Sequence, residues 1–259
     1  MKFYEFGERE KPVILLLPGT SCHWKLNFEK HIPLLQESFY VVAVSYDGFD
    51  ETEETIFPDM LTETKKIEEY IQSQFDGKIC AAYGCSLGGS FVSLLVGRKN
   101  IHIDHAIIGS SDMDQAGPVL AKFETFIIGK ILPQIICDGK IPKFLQNKIN
   151  KAPEEKRKYM NTLMAVFTGD GKGMPFVKKE SICNQFYSDL VTEVGDEIET
   201  PGTIIHVFYA TKMGKEYEKK YLKHFKQPDI CRQDYEHEEF FFVHPKEWYE
   251  EVKKVCLCN

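Results

Sequence analysis

The chain has no apolar run long enough to cross a bilayer. Ile14 to Leu17 is apolar, but a membrane helix needs about 20 such residues. Its start, Met1-Lys2-Phe3-Tyr4-Glu5, has no signal-peptide pattern, so a cytoplasmic protein with no membrane partner is expected. Positive charge is not in surplus. The formal net charge of -7 argues against nucleic acid as a main partner. No C-x-x-C pair occurs among the eight cysteines, which are expected as free thiols in a reducing compartment. Cys256 and Cys258 form C-x-C, but no further ligands of suitable spacing lie nearby, so no metal is expected. Internal repeats and low-complexity linkers are also missing.

What remains is an ordinary globular composition, 259 residues with 43% hydrophobic and 27% charged content. That length fits one large domain, or a domain carrying an insertion. Strand-like runs at Lys2 to Phe6, Val13 to Leu17, Phe39 to Val44, Lys78 to Tyr83 and Ile101 to Ile108 alternate with helical patterns. Trp24 to Phe39 and Met60 to Gln74 are the expected early helices. Such alternation with short loops indicates an α/β fold, a mostly parallel sheet flanked by helices. From about Met113 to Pro201 no clean strand is legible. Helical segments are expected at Val119 to Leu132, Ile141 to Asn150, Glu154 to Phe167 and Phe176 to Leu190. The alternation resumes with Thr203 to Ala210, a helix from about Lys215 to Phe225, Ile230 to Gln233, and a last helix at Pro245 to Val255.

One stretch organises the rest. Gly84-Cys85-Ser86-Leu87-Gly88 follows an apolar strand and opens a helical run. G-x-S-x-G in that context is the pattern of a nucleophile elbow. The serine sits on a tight strand-to-helix turn, and small residues two before and two after it let the backbones approach. The adjacent Cys85 reads as packing. A serine hydroxyl needs a base to take its proton, and histidine suits that role near neutral pH.

These pieces resemble the α/β-hydrolase fold superfamily over almost the whole chain. The matching stretches are Leu15-Leu16-Leu17-Pro18-Gly19-Thr20, Val42 to Gly48, the elbow at Ser86, the helical insertion, and His237 before a last helix. The resemblance implies a core at 1–112, a helical cap at 113–200 and a second part of the core at 201–259. It implies Ser86 as nucleophile and His237 as base, with His244 as a rival beside Pro245. It implies oxyanion donors from the backbones of Leu87 and Thr20. The usual position of the triad acid holds Met213. Asp112, at the end of its strand, is the first choice instead, with Glu216 and Asp114 as alternatives. Aspartate at position 112 is also a natural helix cap.

The expected activity is a serine hydrolase, carboxylesterase-like, cleaving a small or medium acyl ester through an acyl-enzyme. No metal or organic cofactor is needed. Thioesterase, amidase or iminopeptidase, and carbon–carbon bond hydrolase share the same parts. Apolar cap residues such as Phe123, Phe126, Ile127 and Phe144 either form the cap's own core or line an apolar pocket. The other class is a hydrolase-fold binding or sensor protein without turnover, which the Met213 position favours.

Overall fold

The computed structural model describes residues 1–113 and 115–257. The elements run β1 (Lys2–Phe6), β2 (Val13–Leu17), α1 (Trp24–Phe28), α2 (Ile32–Leu35), β3 (Tyr40–Ser45), α3 (Met60–Phe75), β4 (Lys78–Gly84), α4 (Leu87–Arg98) and β5 (His102–Ile108). Four helices follow: α5 (Pro118–Ile136), α6 (Lys143–Lys151), α7 (Glu154–Thr168) and α8 (Lys179–Val191). The chain ends with β6 (Ile204–Ala210), a 3-10 turn (Thr211–Met213), α9 (Lys215–His224), β7 (Asp229–Gln233), α10 (Glu239–Val243) and α11 (Pro245–Leu257). No helix among the described residues is long and apolar enough to cross a membrane.

Among the described residues, seven strands form one sheet in the order β1-β3-β2-β4-β5-β6-β7. All neighbours are parallel except β1 on β3. The uninterrupted apolar character of β2 follows from burial of both its faces. Leu15 and Leu17 pack in one core cluster, Ile14 and Leu16 in the other. β3 divides in the same way, with Val42 and Val44 on one side and Val41 and Ala43 on the other. Each buried leucine, isoleucine or valine among them contributes about 1.5–3 kcal/mol by leaving water.

The expected single helix from Trp24 to Phe39 is two short ones. Pro33 lies in the first turn of α2. There its missing N–H costs nothing, but its ring would clash with the carbonyl four residues back in a continuous helix. The break therefore falls at Glu29 to His31.

Register decides where the loops meet. Leu17 pairs with Gly84, and Gly84 with Ile108. The carboxyl ends of β2, β4 and β5 are thus level, and their following loops stand side by side. The chain leaves β2 for β3 on one side and returns to β4 on the other. That switch of direction opens a crevice at the carboxyl edge of a parallel sheet, which is where such sheets bind ligands.

Candidate active site

Ser86 stands at the end of β4 with φ 48° and ψ -115°. Such a conformation costs a non-glycine residue about 1–3 kcal/mol. The glycines around it are dictated by contact. A Cβ on Gly84 would come within 2.1 Å of the Gly88 backbone, and one on Gly88 within 2.2 Å of the Leu17 carbonyl oxygen. The turn can be this tight only with both glycines in place.

His237 lies on the loop between β7 and α10, and its Nε2 is 3.1 Å from Ser86 Oγ. The sequence separates the two by 151 positions; the sheet edge brings them together. The backbone of His237 is held from the helical segment between β5 and β6. Tyr159 on α7 donates its hydroxyl to the His237 carbonyl at 2.7 Å. Lys156 on the same helix pairs with Glu236 at 2.6 Å. His244 is placed elsewhere, with its ring against Tyr235.

The loop after β2 spends most of its N–H groups internally. Gly19 donates to Asn27 Oδ1 at 3.1 Å, Ser21 to Gln185 Oε1 at 2.6 Å, and Cys22 to the Gly19 carbonyl at 3.1 Å. The Thr20 N–H donates to no partner among the described residues. This loop abuts the serine, since a Cβ on Gly19 would stand 3.6 Å from Ser86 Cβ. Leu87 is the first residue of α4, so its N–H has no acceptor within the helix and lies at the positive end of the helix dipole.

Glu238 is the residue that sequence reasoning missed. It follows His237 directly, adopts φ 55°, and is only 3% exposed. Its Oε1 accepts the Ser86 N–H and the Ser110 N–H, each at 2.7 Å. Its Oε2 accepts the Tyr83 hydroxyl at 3.0 Å. A buried carboxylate is tolerated when donors saturate it, and here three do. Burial together with this carboxylate pushes the Cys22 thiol up to about 12 and the Cys85 thiol well above its ordinary value. Cys85 is therefore a protonated packing group, 1% exposed.

Of the expected acids, Asp112 is not brought to the histidine. Among the described residues no carboxylate is hydrogen-bonded to the His237 ring. The β5 loop is drawn inward at Ser110 by Glu238, and at Ser111 by the Tyr221 hydroxyl, 2.5 Å from the Ser111 carbonyl. This leaves Asp112 on the side of α8 and α9. Its carbonyl receives Lys220 Nζ at 3.3 Å, and its charge adds to the rise in the Asp189 pKa. Glu216 is exposed and paired with Lys219 at 2.9 Å. Asp114 and Cys258 lie outside the described residues.

No family model matches the sequence, and no curated protein does. Solved structures match the fold along its length. An α/β hydrolase family protein from Desulfitobacterium hafniense superposes with TM-score 0.74 at 15% identity, covering 98% of this chain and 99% of the other. A thermophilic esterase from Thermogutta terrifontis gives TM-score 0.72 at 16% identity, covering 98% and 92%. The enol-lactonase from Burkholderia xenovorans LB400 gives 0.66 at 13%, covering 97% and 94%. The chain has the α/β-hydrolase fold.

Proposed function

We propose that the protein is a serine hydrolase that cleaves a small or medium acyl ester through an acyl-enzyme intermediate. The carrying observation is the hydrogen bond of 3.1 Å between His237 Nε2 and Ser86 Oγ on a strained strand-to-helix turn. His237 takes the hydroxyl proton as Ser86 Oγ attacks the acyl carbonyl. The backbone N–H groups of Thr20 and Leu87 receive the developing oxyanion, a contribution worth about 100- to 1,000-fold in rate per donor. His237 then protonates the leaving alcohol. Water, deprotonated by the same ring, attacks the acyl carbon, and collapse returns Ser86 and releases the acid. The cap reading of 113–200 belongs to this proposal and is supported by Tyr159 and Gln185. These side chains reach from α7 and α8 to the base and to the loop of Thr20.

A fluorophosphonate probe tests the reading. The wild type is expected to label at Ser86, and Ser86→Ala to remain unlabelled. Equal labelling of both overturns the assignment.

The second reading, ligand binding without turnover, is favoured by the missing carboxylate on the His237 ring among the described residues. Turnover of p-nitrophenyl acyl esters by the wild type, abolished in Ser86→Ala, decides against it.

A further inference from the structure

α5 is apolar on the side it turns to solvent. Val119 is 85% exposed, Phe123 60% and Phe126 61%, with Ile127 also exposed. Spacings of four, three and one residues put these side chains on one ridge of a helix. The opposite face is already occupied, because Ala121, Gly129, Ile135 and Ile136 are buried and α5 packs on α8. The exposed ridge is therefore not the core of the helical segment, nor does it line an enclosed pocket. Phe144 on α6 adds a further exposed aromatic ring.

The segment that carries this ridge departs in charge from the rest of the chain. Residues 118–151 carry six lysines, at 122, 130, 140, 143, 148 and 151, against Glu124 and Asp138. Six minus two is +4 in a chain of net charge -7, so the remainder carries -11. Lys130 Nζ lies 4.0 Å from the Phe126 ring centre. Its ammonium group thus sits beside the apolar ridge, as at an interface between oil and water. A symmetric contact between two copies would set this positively charged segment against its own copy. An anionic lipid surface answers both the apolar ridge and the positive charge.

We propose that the outward face of α5, with the lysines of α5 and α6, docks on an anionic phospholipid bilayer. α5 carries three charged residues among its 19, so it lies in the interface rather than crossing it. The ridge enters the acyl boundary while the lysines meet the headgroup phosphates. Each lysine held at such a surface strengthens binding about fivefold. This docking is independent of the hydrolase reading.

Flotation of the full chain with vesicles tests it. One set is phosphatidylcholine alone, and the other has about a third of its lipid as phosphatidylglycerol. The protein is expected to float at least about tenfold more with the anionic vesicles, and to be released by high salt. The double variants Phe123→Ser/Phe126→Ser and Lys143→Glu/Lys148→Glu are each expected to lower binding about tenfold or more. All four substituted side chains lie at exposed positions, so melting curves and turnover of a soluble ester should stay at wild-type values. Equal flotation with both vesicle types, none with either, or unchanged binding of Phe123→Ser/Phe126→Ser overturns the proposal. So does a wild-type dimer in sedimentation that Phe123→Ser/Phe126→Ser dissociates, which would assign the face to a second copy. Loss of soluble-ester turnover in the wild type would instead sink the hydrolase reading alone.

Discussion

Glu238 Oε1 lies 2.7 Å from the backbone nitrogen of Ser86, while the ring of the preceding residue, His237, meets the Ser86 hydroxyl. Two consecutive residues therefore grip the same serine, one by its side chain and one by its main chain. A hydrogen bond to a charged group contributes about 1.5–3 kcal/mol, and the strained turn costs about 1–3 kcal/mol. The carboxylate offsets the strain of the elbow at the place where the strain is held.

Removing that carboxylate should loosen the elbow. Glu238→Ala strands the N–H groups of Ser86 and Ser110 and the Tyr83 hydroxyl. Urea denaturation should show a loss of roughly 3 kcal/mol or more. Glu238→Gln keeps an oxygen for the two N–H groups and turns its amide toward the Tyr83 oxygen, so it should retain most of the stability. A role in positioning predicts that kcat falls in Glu238→Ala with KM little changed, and that Glu238→Gln restores much of it. Equal stability of wild type and Glu238→Ala would refute the account.

This residue also marks where sequence reading reached its limit. The strands of the sheet were legible because burial on both faces makes them continuous apolar runs, as in Val13 to Leu17. The G-x-S-x-G turn was legible because contact leaves room for glycine alone at 84 and 88. Asp234 to Glu239 reads as a solvated acidic loop around a histidine, and nothing periodic separates Glu238 from its neighbours. The one available signal is the apolar Phe240-Phe241-Phe242 that follows, which pulls the loop inward. α10, five residues long, is too short to show a period. For Asp112 the sheet-edge position was legible, but side-chain direction depended on Glu238 and Tyr221, which the sequence places far away.

The placement of Asp112 predicts a mild phenotype. Replacing a triad aspartate by asparagine lowers kcat about 10⁴-fold. Among the described residues no hydrogen bond joins Asp112 to the His237 ring, so Asp112→Asn should lower ester turnover less than about tenfold. His237→Ala should lower it by at least about a thousandfold. Parallel kcat measurements on the two variants check this. A loss in Asp112→Asn comparable with that in His237→Ala would mean that the aspartate reaches the ring during turnover.

Tyr159 tests whether the helical segment positions His237. Its hydroxyl, on α7, donates to the His237 carbonyl at 2.7 Å. Tyr159→Phe removes that hydrogen bond and keeps the ring. A cost of about 0.5–1.5 kcal/mol is expected in stability. If the bond positions His237, kcat should fall several-fold with fluorophosphonate labelling slowed in proportion. Unchanged labelling with a lowered melting temperature would confine the bond to stability.

Asp189, on α8, gives the fold a predictable pH dependence. Desolvation, with the charge of Asp112 adding to it and a Ser90 hydrogen bond opposing it, pushes its carboxyl up to about 8 from an ordinary 3.8. Between those two values the folded chain holds a proton that the unfolded chain releases. Fewer protons on the unfolded state make stability fall as pH rises. The cost is absent below about pH 4, grows through neutrality, and is complete above about pH 8. Asp189→Asn keeps the shape of the protonated acid and cannot ionise. Its melting temperature should match wild type near pH 4 and exceed it increasingly toward pH 8, measured in buffers of equal ionic strength. A constant offset between the two proteins across that range would show that Asp189 ionises in the fold as it does in water.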